Sequence, residues 1–245
     1  MHLFLTSSPC DDNVPAGVEL PCIFFERNDF VENLRRCIKP GGNLLVIAAD
    51  PENDELNDEM LHTFFKCFAW HELSLSGAQL LDGRNAQDAA ELVEASDVII
   101  LGGGHVPTEN AFFQEIGLKE LLADYQGVVM GISAGSMNCA SVVYAQPEMP
   151  GEAVDPEYNR FIDGLGLTEI MILPHYQKVK DYMIDGMRLY EDVTYSDSYG
   201  NAFVAIPDGS YVLEDEDGCF LFGEGYLITE GRMEQICWDG ECVEL

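Results

Sequence analysis

The stretch GVVMGISAGSMN, from Gly127 to Asn138, decides how this chain is read. Val128, Val129 and Met130 form an apolar run suited to a buried strand, and beyond Ser133 the residues turn small and helix-compatible. Between them, Gly131-Ile132-Ser133-Ala134-Gly135 has the Gly-x-Ser-x-Gly spacing of a nucleophile elbow. At such a turn the serine Oγ is exposed, the glycines let the chain bend and a substrate approach, and the helix N-terminus offers N–H groups to developing negative charge. The same five-residue pattern occurs in loops where a serine only bonds its own backbone, so the strand before and the helix after carry the weight. The reading predicts acyl transfer, with hydrolysis as its first form.

Around the elbow, apolar runs alternate with amphipathic ones in the order of a parallel α/β sheet. Strands are expected at His2–Thr6, Asn43–Ala49, Leu73–Ala78, Asp97–Leu101, Ser141–Ala145 and Ile170–Leu173. Helices are expected at Val31–Ile38, Asn53–Trp70, Ala86–Glu94, Asn110–Ala123 and Val179–Leu189. Residues 146–159 read as a Pro- and Gly-containing loop. From Ala202 onward short strands separated by Pro-Asp-Gly, Asp-Gly and Glu-Gly turns read as an antiparallel extension of the same sheet. The fold class is therefore α/β, a mostly parallel sheet with helices on both faces and antiparallel C-terminal strands, in one domain over residues 1–245.

Composition narrows the function. Of 245 residues, 12 are Lys or Arg and 44 are Asp or Glu, a net charge of -32. Such a surface repels phosphate backbones and anionic lipid, which argues against nucleic-acid and membrane partners. The N-terminal MHLFLTSSP is too short and lacks the basic flank of a signal peptide, so a cytoplasmic protein is expected. Eight cysteines lack Cys-x-x-Cys pairing and read as reduced, mostly buried thiols; neither a metal nor an organic cofactor is expected.

A serine nucleophile needs a base, and the base needs an orienting group. Of the five histidines, His175 follows the apolar run Ile170–Leu173 directly after Pro174, where a strand end delivers functional groups. His105 follows Gly102-Gly103-Gly104 and is the second candidate for the same sheet edge. Glu148, Asp155, Asp163 and Asp208 all qualify as the orienting acid on sequence position. The oxyanion donors are expected at the triple glycine, near Gly103, and at Ala134 N–H.

With these residues in hand, the chain resembles the peptidase E family of serine peptidases, whose members include aspartyl dipeptidases and, more distantly, cyanophycinase. The likeness runs through FLTSSP, LGGGHVPT, GISAGSMN, PEMP, FIDGLGL, ILPHY and AIPDGS, in that order. It implies a class I glutamine amidotransferase-like fold, Ser133 as nucleophile, His175 as base and Glu148 as acid. It also implies small peptide substrates, dipeptides with N-terminal aspartate among them, bound near Gly104 and His105. An aspartate would need a cation, for which Arg160 stands ahead of Lys178 and Lys180. Two other functions share these residues: a different acyl hydrolase on the same scaffold, and a binding or sensor domain without catalysis.

Overall fold

The computed structural model describes all residues from Met1 to Leu245. In chain order the elements are β1 (His2–Thr6), β2 (Cys10–Asp11), β3 (Ile23–Phe24), α1 (Phe30–Cys37), β4 (Gly42–Ile47), α2 (Asp54–Trp70), β5 (Leu75–Leu81), α3 (Ala89–Glu94) and β6 (Val98–Leu101). There follow α4 (Val106–Glu115), α5 (Leu118–Leu122), β7 (Val128–Ile132), α6 (Ala134–Asn138), β8 (Val142–Tyr144), β9 (Phe161–Asp163), β10 (Met171–Leu173) and α7 (Tyr176–Val179). The C-terminal part holds β11 (Met183–Ile184), β12 (Met187–Arg188), β13 (Ala202–Ala205), β14 (Tyr211–Asp215), β15 (Gly218–Phe222), β16 (Gly225–Thr229), β17 (Arg232–Cys237) and β18 (Cys242–Glu244).

The main sheet has the order β18-β15-β14-β1-β7-β6-β4-β5. Strands β1, β7, β6, β4 and β5 run parallel, and β14, β15 and β18 add antiparallel. Alternation along each strand supplies both faces. Leu3, Leu5, Leu45, Ile47, Ile99 and Leu101 bury against α3 to α6, whereas Phe4, Leu44, Val46, Val98 and Ile100 bury against α1 and α2. On the second face Phe24, Phe30, Phe64 and Phe68 pack edge-to-face or stacked, each fully buried ring contributing about 1.5–3 kcal/mol by its transfer from water. Asn53 caps α2, its side chain accepting from Leu56 N.

Three expectations change. The helix placed at 110–123 begins at Val106, with Pro107 in its first turn, and breaks at Gly117, whose φ of +64° no continuing helix can hold. The helix placed at 179–189 is instead the four-residue α7 and a β11/β12 hairpin, because Asp185 and Gly186 both take positive φ in an Asp-Gly turn. The C-terminal strands do not all extend the main sheet. β13, β16 and β17 join β10 in a second sheet of order β10-β13-β16-β17, in which β10 and β13 are parallel.

Candidate active site

Strand register brings the polar groups together. Parallel pairing sets Thr6 beside Ile132 and Leu101 beside Gly131, so Ser7, Ser133 and the glycines after Leu101 emerge at one C-terminal edge. Ser133 takes φ 52° and ψ -112°, a conformation costly for a residue with a Cβ, and its N–H is held by Thr6 O and Ser7 O at 3.0 Å each. The glycines are there for space. A Cβ on Gly131 would lie 2.6 Å from the Ser136 backbone, and one on Gly135 would lie 2.4 Å from Leu101 O. At Gly103 a Cβ would stand 3.3 Å from Ser133 Cβ, so the triple-glycine turn passes directly beside the serine.

The second sheet brings the imidazole and its acid. Register pairs Leu173 with Ala205, and the residues just beyond each strand, His175 and Asp208, meet. His175 Nε2 lies 2.8 Å from Ser133 Oγ, and its Nδ1 lies 2.7 Å from Asp208 Oδ1. Ser7 Oγ donates to the same carboxylate oxygen at 2.6 Å, and Lys178 Nζ sits 2.7 Å from Oδ2. Burial alone pushes the Asp208 carboxyl up, but hydrogen bonds from His175, Lys178 and Ser7 more than reverse this and hold it well below the usual carboxylate range. Arg27 donates to Asp208 O and Gln177 Oε1 accepts from Asp208 N, fixing the turn.

The acid at His175 is therefore Asp208 and not Glu148. Glu148 lies across the cavity, where its Oε1 accepts from Val106 N at 3.2 Å, at the start of α4. The residue is exposed overall, but desolvation of its carboxyl raises the pKa, partly offset by that N–H bond and by the fields of His105 and His175. Glu152 braces it, accepting from Glu148 N and Met149 N at 2.9 Å each. Asp155 and Asp163 are exposed and do not reach His175. The signal for Asp208 was present in the sequence: Pro207-Asp208-Gly209 turns the chain just past the apolar run Ala202–Ile206. What the sequence did not show was that this run pairs parallel with Met171–Leu173.

A cavity of ≈ 210 Å³ opens on Ser133 and His175; Gly104, Gln146, Pro147, Glu148 and Tyr182 line it with apolar neighbours. No Lys or Arg lines it. His105 turns away, with Nδ1 2.8 Å from Thr108 Oγ1 and Nε2 2.8 Å from Glu152 Oε1. Arg160, expected to receive a substrate carboxylate, is already engaged: its Nη1 donates to both Asp197 carboxylate oxygens and its Nη2 to Ala153 O. Its work is to tie the 146–159 loop down, together with Asp185, which accepts from Gly151 N and Ala153 N.

A serine, an imidazole and a carboxylate bonded in series at the carboxyl edge of a parallel sheet are the parts of a serine-type hydrolase. The chain belongs to peptidase family S51, whose model matches residues 51–222, and it is a serine-type peptidase. It is similar to a solved structure from Listeria monocytogenes EGD-e, a protein provisionally named as a peptidase E: TM-score 0.60 and 16% identity, covering 96% of this chain and 98% of that one. That likeness speaks for the fold. No curated protein gives a significant match. No helix is long and apolar enough to cross a membrane.

Proposed function

We propose that this peptidase hydrolyses short peptides through Ser133, His175 and Asp208, and that Glu148 receives the free amino terminus of the substrate. The observation that carries the reading is His175 hydrogen-bonded at one nitrogen to Ser133 and at the other to Asp208. With Nδ1–H donated to Asp208, Nε2 is the free base that accepts the Oγ proton as Oγ attacks the peptide carbonyl. Asp208 stabilises the imidazolium, which then returns its proton to the leaving amine. Water repeats the cycle on the acyl-enzyme. The N–H groups of Gly103 and Ala134 are the oxyanion donors in this reading, supported by the packing of Gly103 against Ser133.

Substrate size follows from the cavity and its charge. A space of ≈ 210 Å³ suits one or two residues, and its one carboxylate, Glu148, is matched by an α-ammonium group. With no cation in the lining, an N-terminal aspartate has no counter-charge, so a neutral first side chain is favoured. The test is labelling by a fluorophosphonate probe and turnover of Ala-Leu, Asn-Leu and Asp-Leu, in the parent and in Ser133→Ala. Labelling and turnover are expected only in the parent, with Asp-Leu the poorest substrate. Undiminished labelling of the variant sinks the nucleophile, and a preference for Asp-Leu sinks the charge argument.

A further inference from the structure

Three cysteines far apart in sequence converge away from the site. Cys10 lies on β2, Cys22 directly precedes β3, and Cys67 lies on α2. Their Sγ atoms all lie within 4.8 Å of one another, with Cys22 and Cys67 4.0 Å apart. Sulfurs bound to one metal at about 2.3 Å stand about 4.0 Å apart in a trigonal set and about 3.8 Å apart in a tetrahedral one. The observed spacing thus reaches coordination with shifts of under about 1 Å. Cys22 and Cys67 are buried, while Cys10 is half-buried and lines a surface crevice with Asp11, Asp12, Glu224 and Asp239. Five carboxylates outnumber Arg27 and Lys178 in that lining, so the crevice beside the one half-buried cysteine of the three is net acidic and draws cations.

We propose that Cys10, Cys22 and Cys67 form a three-sulfur binding site for a thiophilic d10 metal ion, Cu(I) ahead of Zn(II). The donor set decides the order. Thiolates select soft ions, and structural zinc closes its shell with a fourth ligand. The cluster offers three sulfurs, and His71 is not part of it: its Nε2 accepts from Phe24 N at 3.1 Å and its Nδ1 lies 3.8 Å from Glu26 Oε1. Binding forms three metal–sulfur bonds and releases to solvent whatever protons the thiols hold; no sulfur changes oxidation state. Occupancy ties the β2/β3 hairpin and its intervening loop to α2.

The experiment uses the full reduced chain under anaerobic conditions, with Cu(I) supplied as its coloured bicinchoninate complex. One equivalent is expected to pass to the protein and to raise its melting temperature. Retention is expected to fall by more than about tenfold in Cys10→Ser, Cys22→Ser and Cys67→Ala, and to stay unchanged in Cys37→Ser and Cys242→Ser. Cys10→Ser, on a half-buried hairpin, keeps the test decisive if the buried variants fold poorly. Uptake that survives all three substitutions, or that depends on Cys37 or Cys242, overturns the site. Tighter retention of Zn(II) than of Cu(I), each measured against its own chelator, overturns the choice of ion.

Discussion

The two halves of the candidate site are held in place by different kinds of force. Residues 98–138 form one run of chain, strand to glycine turn to helix to strand to elbow, and backbone fit positions Ser133: a positive φ, and glycines where a Cβ would meet carbonyl or backbone atoms. His175 and Asp208 are 33 residues apart and meet because two strands of the smaller sheet lie in parallel register. There, side-chain electrostatics does the positioning, with Ser7 and Lys178 both bonded to the Asp208 carboxylate. The serine half should accordingly be sensitive to added volume, and the imidazole half to removed charge.

The largest effect is expected on the electrostatic side. Asp208→Asn should cut kcat by about 10⁴, since an amide favours the wrong imidazole tautomer and leaves the imidazolium without its counter-charge. A loss of less than tenfold, read in steady-state kinetics, would return the role to another acid. Glu148→Gln should lower kcat/KM for free dipeptides by about 10–100-fold, the worth of a charge-assisted hydrogen bond, and should act mainly through KM. N-acetylated dipeptides should be indifferent to that change; an equal loss on both substrates removes Glu148 from amine recognition.

On the steric side, Gly135→Ala forces a methyl to 2.4 Å from Leu101 O and should cost about 1–3 kcal/mol in chemical denaturation. The smallest effect concerns pH. Because burial raises the Glu148 pKa in the folded state, the neutral acid favours folding below its unfolded pKa, and that contribution is lost as pH rises through the folded value. Glu148→Gln escapes this cost, and because Glu148 is exposed along part of its length, solvent screens the effect; its melting temperature should exceed the parent's at neutral pH by no more than about 2 °C. The advantage should vanish near pH 4; a gain that is the same at both pH values contradicts the burial argument.

What could be read from the sequence follows the same division. The elbow was visible because its determinants are contiguous: an apolar strand, spaced glycines and small residues after Ser133. His175 was visible for the same reason, at the end of a short apolar run. The carboxylate beside His175 was not legible: the resemblance pointed to Glu148, whereas Asp208 reaches the imidazole through a strand pairing that leaves no mark on either strand alone. Glu148 lines the same cavity but bonds Val106 N rather than His175. Asp185-Gly186 carried a hairpin signal inside a stretch read as helical, and the turn prevailed over periodicity. The sulfur cluster was hidden outright, since Cys22 and Cys67 are 45 residues apart.

Arg160 has a consequence for the length of substrate the proposed site accepts. By pinning the 146–159 loop through Asp197 and Ala153 O, it fixes one wall of the cavity at a set distance from Ser133, and that wall carries Glu148. On the proposed reading, a chain end fits such a space and the middle of a folded protein does not. If the proposed cleavage of short peptides holds, the contacts of Arg160 set substrate length without touching the substrate, and the selectivity of the enzyme is written in a loop anchor as much as in its pocket.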